Sequence, residues 1–370
     1  MHKRIRAIGA GVLVAVWLGL SGFAWFKTPQ KQSEAERRKL AQLPKLEVES
    51  LLDASFMEGF SDYAVDQFPL RDAFRTVKAL YTYYGLQQLD NNGYFVHDGY
   101  IVKQTYPLSQ PSVNHATSAI NKVYNTYLAD TDCKVYFAVV PDKGYYLTQQ
   151  LGYPSMDYRD LMAQLKNKLD WATFVDISDT LELSDYYKTD THWRQEKLID
   201  TAVKLCKAMD TTIPAGKGSQ RYRVTTPDTP FYGVYYGHAA LPMAAETLCL
   251  LESNMLADCK VYDAMGQELP MYDLSKLDSP DMYEVFLSGN QPIVTIENPN
   301  ANFDKELVIF RDSFGSSIAP LLLQGYKTVT LVDIRYINQN MIGQFVTFED
   351  QDVLFLYSTL VLNESSTMKR

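Results

Sequence analysis

The sequence predicts an α/β protein built on a mostly parallel sheet with helices on both faces. Two observations carry this. Residues 133–140 (CKVYFAVV), 172–177, 292–297, 307–310, 328–333 and 352–357 are short apolar runs of strand length, as expected of strands buried on both faces. Between them, residues 113–128, 161–169, 194–209, 315–324 and 338–348 carry apolar side chains at helical spacing. Strands alternating with helices imply a parallel sheet covered on both sides.

Ahead of this region, residues 51–67 and 70–85 read as amphipathic helices interrupted at Pro69, and Asn91-Asn92-Gly93 marks a turn. Residues 216–283 break the rhythm. They are rich in Pro, Gly and Tyr, with short alternating runs, and read as a β-rich insertion. The expected organisation is a membrane anchor over 1–29, a stalk and helical lead-in over 30–90, and a main domain over 91–370 that holds the insertion. With 46% hydrophobic and 21% charged residues, the chain has enough apolar material for a large core. Its 26 tyrosines suit strands, or a surface that stacks on sugar rings.

The N-terminus sets the expected compartment. Lys3, Arg4 and Arg6 precede a charge-free run over 7–26, closed by Lys27. That run is long enough to span a bilayer as a helix. Its basic flank predicts a cytoplasmic N-terminus and an extracytoplasmic body. A cleaved signal peptide is the competing reading. The long apolar run and the poor cleavage site at Gly22-Phe23-Ala24 favour an uncleaved, single-pass anchor. The net charge of −9 combines +4 from Lys3, Arg4, Arg6 and Lys27 with −13 from the rest. An acidic body argues against nucleic acid as a partner.

The four cysteines form no CxxC pair, so no cysteine-bound metal is expected. Cys249 and Cys259 flank what reads as a hairpin and are candidates for a disulfide in an oxidising compartment. Cys133 and Cys206 lie in apolar segments as buried thiols.

Three elements carry candidate chemistry. In Asp190-Thr191-His192-Trp193, an extended loop would put Asp190 and His192 on one side, where a carboxylate can orient an imidazole. Trp193 would then pack the loop down or stack on a ligand. The run 307–310 ends in Arg311-Asp312-Ser313, and a helix follows. That junction places Ser313 at the carboxyl end of a parallel strand, beside helix N-terminal amides that favour an oxyanion. Helix capping by Asp312 or Ser313 is the plainer alternative. In Ser288-Gly289-Asn290-Gln291-Pro292, Asn290 is either an oxyanion donor or a turn residue.

The order Asp-x-His-Trp (190–193), Gly-Asn-x-Pro (289–292), Asp-Ser-Phe (312–314) resembles the DHHW protein family. Agreement extends to Glu36-Arg37-Arg38-Lys39-Leu40-Ala41, Phe56-Met57-Glu58-Gly59-Phe60, Phe68-Pro69-Leu70-Arg71-Asp72 and Val332-Asp333-Ile334-Arg335-Tyr336. Thr191 stands where the family has His, and Arg311 where the wider Gly-Asp-Ser pattern has Gly. That family is similar to the SGNH-hydrolase-like periplasmic O-acetyltransferases of alginate biosynthesis. The resemblance implies a three-layer α/β/α fold and a triad of Ser313, His192 and Asp190. Asn290, Trp193 and Arg311 are then candidates for oxyanion or substrate contacts. It further implies acetyl transfer to a cell-surface or exported polysaccharide through an acetyl-serine, with no metal or cofactor. A multi-pass membrane O-acyltransferase is the implied source of acetyl groups. A carbohydrate acetyl esterase would use the same triad with water as acceptor, and a polysaccharide-binding scaffold would use none of it.

Overall fold

A computed structural model describes residues 2–211, 222–301 and 303–369. These form two compact units: one of residues 1–92 and 236–242, the other of residues 93–235 and 243–370.

In the first unit, α1 (His2–Phe26) is a single apolar helix whose span Arg4–Ala24 has mean hydropathy 2.0, long and apolar enough to cross a membrane. The helix expected over 51–67 divides into Val48–Leu52 and α2 (Ser55–Asp66). Ala54 separates them in the left-handed region, with φ of 66°. After Pro69, α3 (Arg71–Leu80) continues into a π-helical turn, Tyr81–Gly85.

The second unit is a layered α/β body. Its eight strands are β1 (Lys134–Val140), β2 (Thr173–Phe174), β3 (Lys260–Asp263), β4 (Glu268–Leu269), β5 (Ile293–Glu297), β6 (Glu306–Arg311), β7 (Thr328–Val332) and β8 (Asp352–Ser358). They lie in the order β4-β3-β5-β7-β6-β8-β1-β2. The run from β7 to β2 is parallel, while β5, β3 and β4 pair antiparallel. The reversal at β5 follows from chain length. Residues 298–305 join β5 to β6, fewer than the dozen or so that a parallel crossover requires. Every residue of β8 is buried, as its unbroken apolar sequence predicts for a central strand.

Alternation along β1 divides the core. Tyr136, Ala138 and Val140 face helices α6 (Ile199–Ala208) and α7 (Phe314–Leu322). Phe137 and Val139 face α4 (Gln110–Tyr127) and α5 (Tyr158–Lys168). The sheet is therefore covered on both faces.

Several expectations need correction. The segment 338–348 forms only a 3-10 helix, Gln339–Gln344, and the helix expected from residue 194 starts as a 3-10 turn, Gln195–Lys197. The supposed insertion is not a separate β-rich body. Residues 216–221 lie outside the described residues. Of the remainder, Arg223–Thr225 pairs with Leu250–Glu252, whereas β3 and β4 extend the central sheet. The Cys249–Cys259 disulfide is not formed, and both thiols are free. A strand and a helical turn, Asn254–Asp258, separate them instead of a hairpin. Cys249 Sγ accepts from Arg194 at 3.5 Å, and the Cys259 thiol donates to the Met255 carbonyl at 3.1 Å.

Candidate active site

The segment 186–193 doubles back on itself. Tyr186 and Trp193 form an antiparallel bridge, and the Tyr187 amide donates to the His192 carbonyl at 3.0 Å. Asp190 sits at the tip. Its Oδ1 accepts from the His192 backbone amide at 3.0 Å, an Asx-type turn that fixes both residues. This turn, rather than the extended loop expected, brings the two side chains together. Asp190 Oδ2 accepts from the Val234 amide at 2.8 Å. Gly233 passes so close that a Cβ there would lie 2.2 Å from the Asp190 Cβ. Asp190 is fully buried.

The tip is braced from two directions. Glu246 accepts from the Lys188 amide, the Thr189 amide and the Thr189 hydroxyl, each at 2.6 Å. Lys143 donates to the carbonyls of Tyr187 at 3.0 Å and Lys188 at 3.1 Å. Burial pulls the Lys143 ammonium down to about 7, with Asp190 pulling the other way.

His192 bridges to the sheet. Its Nδ1 lies 2.6 Å from Asp190 Oδ1, and its Nε2 lies 2.7 Å from Ser313 Oγ. With Nδ1–H donating to the carboxylate, Nε2 is the acceptor for the Ser313 hydroxyl. Ser313 follows β6, which lies between two parallel neighbours, and heads α7. Asp312 does the local anchoring: its Oδ1 accepts from the Phe314 amide at 3.0 Å and its Oδ2 from the Ser358 amide at 2.8 Å. The Ser313 hydroxyl is thereby left to His192, and no side-chain cap bond is made by this serine.

A wall of aromatic side chains orients the imidazole. Tyr283 stacks on His192 with ring centroids 3.7 Å apart and planes 4° from parallel, and Phe314 tilts against it at 4.9 Å. Ser317, one turn along α7, accepts from Tyr283 Oη and from Trp193 Nε1, both at 2.8 Å, and donates to the Phe314 carbonyl at 3.3 Å.

The remaining candidates lie elsewhere. Trp193 is fully buried against Phe314, so it packs the loop and is not a ligand platform. Arg311 is also buried, 3.3 Å from Asp333, which Arg335 grips with two bonds of 2.9 and 2.7 Å. Its guanidinium therefore belongs to an internal ion cluster and not to a substrate surface. A Cβ on Gly315 would lie 2.6 Å from the Arg311 Cβ, so the glycine makes room for arginine at this strand end. Asn290 is exposed and its amide donates to Glu284 at 2.6 Å, within a turn where Leu287, Ser288 and Gly289 all have positive φ. The turn reading accounts for it.

No family model matches the chain, and no curated protein does. Solved structures do match. The chain resembles a DHHW family protein from Eubacterium siraeum, with a TM-score of 0.59 and 22% identity over 75% of this chain and 95% of that one. It resembles Bacillus cereus PatB1 carrying a sulfonyl adduct, with a TM-score of 0.57 and 18% identity over 75% of this chain and all of that one. The O-acetyltransferase domain of Pseudomonas putida AlgJ is a looser likeness, with a TM-score of 0.44 and 13% identity over 73% and 92%. The first two show a shared fold.

Proposed function

We propose that this chain is a serine O-acyltransferase of SGNH-hydrolase-like type, moving acetyl groups onto a cell-surface or exported polysaccharide. One observation carries the reading: a half-buried serine at a parallel strand end, hydrogen-bonded to an imidazole whose other nitrogen meets a buried carboxylate. That is the arrangement a nucleophile, its base and its orienting group require.

In the proposed reaction, His192 Nε2 takes the Ser313 proton as Oγ attacks the acetyl carbonyl. Asp190 stabilises the imidazolium. The Ser313 amide, at the head of α7, is the proposed donor to the developing oxyanion. The tetrahedral species collapses, the leaving oxygen takes the proton from His192, and an acetyl-serine remains. A sugar hydroxyl then gives its proton to His192 and attacks the acetyl carbonyl. Its collapse releases the O-acetylated sugar, and the proton returns to Ser313 Oγ.

We further assign α1 as a membrane anchor, supported by its length and apolar character. Its basic flank favours a cytoplasmic N-terminus and an extracytoplasmic body. In that setting a multi-pass membrane O-acyltransferase is the proposed acetyl supplier. The reading is tested with detergent-solubilised full-length chain, an activated acetyl ester and an added oligosaccharide. Acetylated oligosaccharide formed faster than free acetate supports transfer. Acetate alone favours an esterase, and neither product argues against catalysis.

A further inference from the structure

The helix α3 buries part of its charge and exposes apolar side chains, although Asp72 and Lys78 remain at the surface. Two of its arginines are turned inward: Glu36 lies 2.5 Å from Arg71 and 3.3 Å from Arg75, and all three side chains are at most 15% exposed. Ala79 and Thr82 are buried on the same side. Elsewhere along the segment Leu70 just before α3, Phe74 and Val77 within it, and Tyr81 and Tyr84 in the π-helical turn after it are all exposed, with Leu70 at 67%, Val77 at 61% and Tyr84 at 76%. Phe74 and Val77, three residues apart, share one face of α3, and Leu70, Tyr81 and Tyr84 extend this exposed apolar strip at either end.

The surrounding segment shares this character. Among the described residues, fourteen large apolar side chains are exposed between Leu43 and Leu86, against ten in the whole second unit. Apolar surface at that density marks a docking face rather than scatter.

We propose that this strip lies on the surface of the bilayer that α1 crosses, so that the first unit rests on lipid while α1 spans it. This rests on the reading of α1 as an anchor. Both features belong to one compact unit, which keeps the strip close to the membrane. An exposed apolar strip is the form an interfacial helix takes, and Tyr81 and Tyr84 are residues favoured at the headgroup level. A second copy of the chain is the poorer fit. The seam spans two heptads, short of the three to four that a coiled coil sustains.

The test uses full-length chain in phosphatidylcholine–phosphatidylglycerol liposomes, with p-benzoylphenylalanine placed singly at Phe74, Tyr81, Trp17 or Tyr336. Ultraviolet crosslinking is followed by mass spectrometry, and circular dichroism checks each variant. Lipid adducts at Phe74, Tyr81 and Trp17, with none at Tyr336, are expected. Lipid at Trp17 but only chain-to-chain or internal crosslinks at Phe74 and Tyr81 would overturn the surface contact alone. No lipid at Trp17 would overturn the anchor, and the contact with it. Equal lipid labelling at Tyr336 would show the labelling to be indiscriminate and overturn the proposal.

Discussion

Tyr283 lies flat on His192 at 3.7 Å, and its hydroxyl is held by Ser317 on the helix that Ser313 begins. The helix that the proposed nucleophile begins thus also fixes the plate against which the proposed base rests. A ring face beside an imidazole favours the cation formed when the base takes a proton.

Tyr283→Leu should lower kcat by roughly tenfold, since a desolvated cation–π contact is worth about 1–2 kcal/mol. Tyr283→Phe keeps the stack and loses only the Ser317 bond, so it should be much milder. Steady-state kinetics on both variants, with melting curves as a folding check, decide this. Equal losses would point to the hydroxyl instead of the ring face.

Gly233→Ala should harm activity more than its size suggests. The new methyl would lie 2.2 Å from the Asp190 Cβ and 2.3 Å from its Cα, and backbone cannot yield as a flexible side chain can. A misplaced orienting carboxylate of this kind costs about 10²-fold in rate. An unaltered kcat would show that Asp190 tolerates displacement.

Lys143 makes stability depend on pH in a defined direction. Its folded value is about 7, below the ~10.4 of a free lysine. Between these values the unfolded chain holds a proton that the folded chain has released. The Lys143 contribution to stability therefore rises with pH across that window, by up to about 1.4 kcal/mol per pH unit. Below pH 7 the full cost of burying the charge is present. Lys143→Met should remove this slope. Denaturant titrations at pH 7 and pH 9 measure it as wild type minus variant, and a difference that stays constant would contradict the assignment.

The sheet was largely legible because strands such as β6 and β8 are apolar on both faces and so appear as unbroken runs. The helix Lys143–Leu151 was missed because its face toward the site includes a buried lysine, which periodicity counts as polar. Asp190, His192 and Ser313 are legible as neighbours from local context, Ser313 by its strand end and Asp190 and His192 by their closeness in sequence, but the Asx-type turn that joins the pair is not. Tyr283, Gly233 and Glu246 were not. Each meets the site loop across forty or more residues of sequence, and such contacts are set by packing and leave no local pattern. The disulfide failed for the converse reason. The segment between Cys249 and Cys259 reads as a hairpin, but Ser253 caps a helical turn there, its Oγ accepting from the Leu256 amide at 3.2 Å.

Asn290→Ala should leave turnover nearly unchanged, since its amide already donates to Glu284 at the surface. An oxyanion donor would cost about 10²–10³ in rate on removal. Single-turnover rates with an activated ester distinguish the two outcomes.

The most direct measurement is the mass of the Ser313 peptide after brief incubation of full-length chain with p-nitrophenyl acetate and acid quenching. An acetyl group on Ser313 is expected, absent in Ser313→Ala and in His192→Ala, because an unassisted hydroxyl is a poor nucleophile. Ser313→Ala should remain folded, as Asp312 carries the local backbone contacts. Acetyl turnover at the wild-type rate by folded Ser313→Ala would contradict the nucleophilic role of Ser313 and the triad with it.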